Sequence, residues 1–337
     1  MNTILEQYES SKDVILNNYC SGCGACINTC PYRKLNKNSA VIIFECSENH
    51  GRCDMVCPAV KTDHENLQKK IFKSLSPNPM GNIIKIYKSR AGTRFQPNLT
   101  EKKTVTALNC FILNSGISKK ILMTKTGRDF LPEPFFAETE EEIINSGKTI
   151  HSTSPILSVL NLSGEKSYSF TGLPCQILSL AKTEVLEKKY LKPFLPDIKI
   201  SLFCTWALYP QQYSDYLQTK LENNDLKACQ ITSGKDKKII FEFMDNSKKQ
   251  ENLDEIKKFI RKSCTVCTDL TGEYSDISVG DLETDNSFNT LIIRTVKGLE
   301  LVKKAVEKNY LEIFPYPKEA QLMLETASTN KKKKIFS

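Results

Sequence analysis

Apolar and polar positions along this chain repeat with periods that change from segment to segment. Residues 83–90 (IIKIYKSR) alternate with period two, the pattern of a half-buried strand. In TVTALNCFILNSG (104–116), Val105, Leu108, Phe111 and Ile112 fall on one helical face ahead of the glycine stop. KKILMTK then reads as another strand, so a strand–helix–strand unit with a parallel pair is expected. Thr139 followed by Glu142 is a capping box opening the helix ETEEEIINSG, which Gly147 ends.

The alternation continues downstream. Residues 168–170 close a strand, Gly172 to Pro174 turn tightly, and residues 175–182 start a helix, so backbone N–H groups there face the carboxyl edge of a sheet. IKISLFC (198–204) is a strand with Trp206 just beyond it, PQQYSDYLQTKLE an amphipathic helix, and ACQITSGKDKKIIFEF a hairpin through Gly234. NLDEIKKFIRKSC reads as a helix ending at Cys264, DISVGD and TLIIRT as strands, and GLELVKKAVEKN as a helix. Helices and strands mix throughout, which makes the fold class α+β (mixed α/β).

The cysteines add chemistry to this frame. Seven of the thirteen fall between Cys20 and Cys57, in CSGCGACINTCP and CSENHGRCDMVCP. The first stretch has the CxxCxxCxxxCP spacing of a bacterial-type ferredoxin loop, in which three thiolates serve one cluster and the fourth crosses to a second. A zinc knuckle or disulfide knot is the competing reading, which four cysteines in eleven residues followed by proline disfavour. By the crossing rule one cluster takes Cys20, Cys23, Cys26 and Cys57, and the other Cys30, Cys46 and Cys53. That second set is one thiolate short, so it holds a 3Fe-4S cluster, or a 4Fe-4S cluster with His50 or Asp54 as the fourth ligand. A short helical lead-in precedes this module, which ends near Pro58.

Composition and charge narrow the classes. A chain of 337 residues with 40% hydrophobic content has room for a substantial domain beside a small module. It has no run of eighteen apolar residues and its start, MNTILEQYESSKD, has no signal-peptide character, so a cytoplasmic location is expected and peripheral membrane association stays open. Clustered cysteines without an export signal point to metal ligation in a reducing, anaerobic setting rather than to disulfides. The net charge of +8 is spread along the chain except at Lys331 to Lys334, read as a solvated tail or a contact for an acidic partner surface. No nucleic-acid-binding motif accompanies the charge.

Cys175 and Cys204 each follow a strand, and Cys264 with Cys267 forms a CxxC after a helix. Four thiolates from three segments make a 4Fe-4S or a zinc site, with unligated core cysteines as the plain alternative. Cys110 and Cys229 read as core residues. In this order, TGLPCQILSL, SLFCTWAL, SCTVCTDLTGEYSDISVGD and FNTLIIRTVKG resemble the coenzyme F420 hydrogenase/dehydrogenase beta subunit family over residues 83–314, with the ferredoxin module as an arrangement of that family. The resemblance implies an α/β flavin and iron-sulfur domain behind the ferredoxin-like module. It implies a hydride exchanged between coenzyme F420, a small-molecule carrier, and FAD, and single electrons passed through clusters to redox partner subunits of a larger complex. It also implies that Cys175, Cys204, Cys264 and Cys267 ligate one 4Fe-4S cluster beside the flavin, with Lys102, Thr104, Thr106, Gly172, Pro174, Gln176 and Asp281 as cofactor-binding residues.

The chain departs from its relatives at two places. Glu101, Lys102 and Lys103 stand where relatives carry a small residue and two glycines, and Leu282 or Glu283 stands for a usual glycine; lysine contacts phosphate by charge where glycine admits close backbone approach. A non-catalytic electron-relay subunit, or a flavin-dependent reductase of another substrate, is therefore the alternative. The expected organisation is a ferredoxin-type module at 1–60, a linker at 61–82, the two parts of the main domain at 83–161 and 162–320, and a basic tail at 321–337.

Overall fold

The computed structural model describes residues 8–27, 29–46, 48, 51–95, 103–146, 151–160, 167–186, 195–220, 226–231 and 238–333. The helices used below are α1 (Ser11–Leu16), α2 (Arg52–Val56), α3 (His64–Phe72), α4 (Thr104–Asn114), α5 (Glu140–Ser146), α6 (Pro174–Glu184), α7 (Pro210–Lys220), α8 (Val296–Glu307) and α9 (Lys318–Lys333). The strands are β1 (Arg33–Asn36), β2 (Ser39–Ile42), β3 (Lys85–Ala91), β4 (Lys120–Thr126), β5 (Pro132–Ala137), β6 (Tyr168–Gly172), β7 (Lys199–Leu202), β8 (Leu226–Ile231), β9 (Lys238–Phe243), β10 (Lys248–Asn252), β11 (Ile277–Asp281), β12 (Asn289–Ile293) and β13 (Leu311–Pro315).

Eight strands form one mixed sheet in the order β13-β3-β12-β11-β7-β6-β4-β5. The pairings run β3, β11, β7, β6 and β4 in one direction and β13, β12 and β5 against them. Successive residues of β4 face opposite sides, as a pleat requires: Ile121 and Met123 enter one core, Leu122 the other. The first core packs α4, α5 and α8 on the sheet through Leu108, Phe111, Ile112, Ile143 and Leu301. The second sets Tyr168 and Phe170 against Ile177, Leu178 and Ala181 of α6, Leu67 of α3, and Cys23. A smaller unit of α7 and the antiparallel sheet β10-β9-β8 has its own core around Tyr213, Leu217, Phe241 and Ile256. The β1–β2 hairpin belongs to the cysteine-rich module, where Lys37 and Asn38 both take positive φ, the condition for a two-residue hairpin turn.

Most periodic segments form the expected elements, including the Thr139–Glu142 capping box, in which the Glu142 carboxylate accepts from the Thr139 amide and the Thr139 hydroxyl from the Glu142 amide. Cys110 is buried in α4. Strands β8 and β9 pair antiparallel as expected; Gly234 and Gly147 lie outside the described residues. Four expectations are corrected. Strands β3 and β4 do not pair: β12, β11, β7 and β6 lie between them, because strands made later in the chain insert beside β3. Residues 61–82 contain helix α3, whose composition is polar because Leu67 alone is buried, and whose Asp63 carboxylate caps the Asn66 amide. The helix expected through residue 264 stops at Lys257, since the Arg261 amide bonds the Ala207 carbonyl and Ile260 bridges Leu208 instead of continuing the turn. The basic tail is no free tail: residues 318–333 are helical and Lys331 is buried. Lys334 lies outside the described residues.

Helix α6 ties the cysteine-rich module to the main sheet. Ser179 Oγ donates to the Val56 carbonyl at 2.7 Å, and Lys182 Nζ to the Cys57 carbonyl at 2.7 Å and to Thr62 Oγ1 at 3.3 Å. Ile112→Ala, which opens a hole in a fully buried position, is expected to cost about 2–5 kcal/mol in denaturant unfolding. Lys182→Met should act locally, speeding amide hydrogen exchange over residues 51–60 while leaving α4 protected. Equal acceleration in both places would show that the module does not open separately.

Candidate metal centre

Three segments bring four cysteines to one place. Pro174 sits at the start of α6, where a fixed φ and a missing N–H cost nothing, and Cys175 follows it into the first turn. Gln176 locks this turn: its Oε1 accepts from the Leu173 amide at 2.7 Å and its Nε2 donates to the Ser154 carbonyl at 2.9 Å. Cys204 follows β7, with its amide on the Leu270 carbonyl. Cys264 lies in a short 3-10 turn, and its sulfur accepts from the Ala207 amide at 3.3 Å. Past Cys267 the chain folds around Asp269, whose carboxylate accepts from the amides of Thr271, Gly272 and Glu273.

Cys175, Cys204, Cys264 and Cys267 line a cavity of about 1220 Å³, shared with Pro174, Trp206 and Thr153. Burial pushes the Cys204 thiol up to about 12 and the Cys175 thiol well above its ordinary value, and the neighbouring thiols add to both shifts. Thiolates are therefore disfavoured here until a cation displaces their protons. Lys331 supplies part of that charge: its ammonium donates to the carbonyls of Cys204 and Asp269, and the nearby sulfurs hold it protonated above its usual range despite burial.

The donor set fits an iron-sulfur cluster better than a lone ion. Among the described residues no three His, Cys, Asp or Glu side chains are grouped to hold one metal ion. The four cysteines instead share the lining of one cavity, and all are soft donors. Thr153 Oγ1, buried on the cavity wall, has no hydrogen-bond partner among the described residues.

In the N-terminal module Cys20, Cys23, Cys26 and Cys57 influence one another. Burial first and then Cys23 push the Cys57 thiol up to about 12, and burial followed by Cys23, Cys57 and Cys20 raises Cys26. Cys53 is buried and accepts a long contact from Arg33 Nη2 at 3.6 Å; Cys30 and Cys46 are half-buried. Asp54 is engaged elsewhere: Oδ1 accepts from the Ser11 amide and hydroxyl, and Oδ2 from the Gly51 amide at 2.9 Å. Those bonds hold its carboxyl below the usual range against burial. His50 lies outside the described residues.

The two four-cysteine groups share a wall. The Cys23 carbonyl accepts from the Leu157 amide at 3.0 Å, and Cys23 packs in the same core as Ile177 and Leu178 of α6. Of the charges around Cys175, Cys23 is the one that raises its thiol most after burial itself.

The residues expected to bind a cofactor separate into two places. Gly172 leaves room filled by the Phe170 ring and Gln176, and Gln176 is committed to backbone, so of Gly172, Pro174 and Gln176 only Pro174 lines the cavity. Four strands along the sheet, the Thr104 hydroxyl pairs with Ser89 at 2.9 Å and the Thr104 amide with Asn289, whose amide group donates to the Gly280 carbonyl beside Asp281. Thr106 is buried, and Lys102 lies outside the described residues. These side chains do not assemble a flavin cradle among the described residues. Sequence reading missed Lys182 and Lys331, for which no spacing gives a signal, and the turn-forming role of Asp269, which the aspartate in CTVCTD signals.

Two family descriptions match this sequence, both for the beta subunit of coenzyme F420 hydrogenase/dehydrogenase: its N-terminal part over residues 104–161 and its C-terminal part over residues 165–319. An uncharacterised protein of Methanocaldococcus jannaschii is 28% identical, over 91% of this chain and 92% of its own length. The coenzyme F420-dependent sulfite reductase of the same organism is 27% identical over 93% of this chain, which spans half the length of that relative. Among solved structures, a chain of the F420-reducing [NiFe] hydrogenase complex from Methanosarcina barkeri superimposes with a TM-score of 0.67 over 78% of this chain and 93% of its own, at 23% identity, and so shares the fold. With both halves of its main domain matched in order, the chain belongs to the coenzyme F420 hydrogenase/dehydrogenase beta subunit family.

Proposed function

We propose that the protein is an F420-linked iron-sulfur oxidoreductase that takes electrons from reduced coenzyme F420 and delivers them singly to partner subunits. The observation that supports this reading is that Leu178, which lines the cavity of Cys175, Cys204, Cys264 and Cys267, packs in the same core as Cys23 of the ferredoxin-type module. Cys175, Cys204, Cys264 and Cys267 hold one cluster, Cys20, Cys23, Cys26 and Cys57 another, and Cys30, Cys46 and Cys53 a third. When bound, such clusters accept and release one electron at a time.

The chain's own groups prepare these sites. Asp269 fixes the loop after Cys267 through three amide bonds, and Lys331 holds that loop to the Cys204 carbonyl, so the thiols of separate segments keep one spacing. The buried thiols surrender their protons on metal binding, and Lys331 offsets part of the negative charge that remains. Side chains of α6, Ile177 and Leu178 among them, keep water from the wall between the two sites. FAD belongs to this reading by family membership; since the expected side chains form no cradle for it, no step is assigned to it. That arrangement, with Glu101 to Lys103 in place of glycines, also supports the second reading of a flavin-free relay subunit.

Three results test the proposal. Anaerobically purified protein is expected to carry about eleven or twelve irons per chain; stoichiometric zinc would end the redox reading. Its visible spectrum is expected to show resolved flavin bands over the broad cluster absorption and to bleach with reduced F420 but not with reduced nicotinamide nucleotides. Absent flavin bands would favour the relay. Cys175→Ser should remove about four irons, because the hard oxygen replaces a soft sulfur, and slow F420-driven reduction of the module's clusters by orders of magnitude. Wild-type rates in that variant would mean that electrons bypass the central site.

A further inference from the structure

Arg261 is a fully buried guanidinium with no carboxylate partner among the described residues. Its Nη1 donates to the Cys20 carbonyl and to Ser39 Oγ, both at 3.1 Å, and its Nη2 to the Asn38 carbonyl at 2.9 Å, while Nε has no partner among the described residues. The group lies over the Tyr209 ring, 4.8 Å from its centre. Gly22 makes the approach feasible: its φ is +73°, and a Cβ there would stand 2.6 Å from Nη2. On its own backbone, Arg261 accepts the Cys264 amide at 2.9 Å. The side chain thus reaches Cys20 in the module while the main chain holds Cys264 of the central site.

Burying a lone cation is expensive unless opposite charge stands nearby. The titratable groups that act on Arg261 are Cys20, Tyr209, Cys264 and Cys175, and the three cysteines become anionic on ligating a metal. We propose that Arg261 is the shared counter-charge of the two four-cysteine sites, a positioning residue that raises their reduction potentials while fastening the module hairpin to the central loop. This inference rests on the iron-sulfur reading above. Four thiolates outweigh the charge of the iron-sulfide core, and one added electron makes each site more negative by one unit without breaking or forming a bond. A fixed cation beside both favours that added electron. Being held by carbonyls rather than by a carboxylate, Arg261 keeps its full charge for the sites.

The test is potentiometric titration, followed by electron paramagnetic resonance, of anaerobically reconstituted full-length protein. Arg261→Gln is expected to keep its iron and to shift the oxidised-to-reduced ratio of at least one four-cysteine cluster tenfold or more toward oxidised at a fixed potential, about 59 mV for one electron. Arg261→Lys, which keeps the charge, should shift by less than half of that. Ser39→Asp sets a carboxylate against Nη1 at a half-exposed turn position and should shift the ratio in the same direction as Arg261→Gln; if Arg261→Gln loses its iron, Ser39→Asp decides alone. Unchanged potentials in an iron-loaded Arg261→Gln, or in Ser39→Asp, overturn the proposal. Wild-type protein that binds no iron would instead overturn the iron-sulfur reading on which it stands.

Discussion

Sulfur ligands buried away from water need positive charge close at hand, and much of the non-sheet structure in this chain is arranged around that requirement. Lys182, Lys331, Arg33 and Arg261 are all at least nine-tenths buried, and each reaches either the sulfur or the carbonyl of a cysteine in one of the three groups. None of the four comes from the same turn as the cysteine it serves. Two of these contacts, Lys182 to Cys57 and Arg261 to Cys20, cross from the main domain into the module, and with the core that packs Cys23 against α6 they join the two.

Helix α6 carries the largest part of this arrangement. Cys175, Ser179 and Lys182 follow one another at i, i+4 and i+7, so they share one face. Its first turn supplies a sulfur to the central site, and its later turns cap α2 next to Cys57. The rise between Cys175 and Lys182 is about 10 Å of rigid helix. The second core, which joins Cys23 to Leu178, fills the space alongside. A helix that would serve only as a crossover in an ordinary doubly wound sheet here links Cys175 of one cysteine group to the chain beside Cys57 of another.

Much of this was legible in the sequence, because ligand spacing and hydrophobic period are local properties. CxxCxxCxxxCP, the strand ends before Cys175 and Cys204, and the faces of α4 and α8 are readable within a dozen residues each. Strand order was not, since β11 and β12 enter beside β3 from almost two hundred residues away. Helix α3 was hidden by having a single buried apolar residue, Leu67. Arg261 left no trace, and Lys331 showed only as the first lysine of a basic run: one basic residue among forty-seven has no period, and its importance arises only from the carbonyls that fold around it.

The position of Lys331 along the chain bears on the order of biosynthesis. Cys204 and Asp269, whose carbonyls it joins, leave the ribosome 127 and 62 residues earlier. Until α9 is made and docked, the loops bearing Cys204 and Asp269 lack the tie that Lys331 makes between them. The tie between the Cys204 loop and the Asp269 loop is thus among the last contacts that synthesis makes possible.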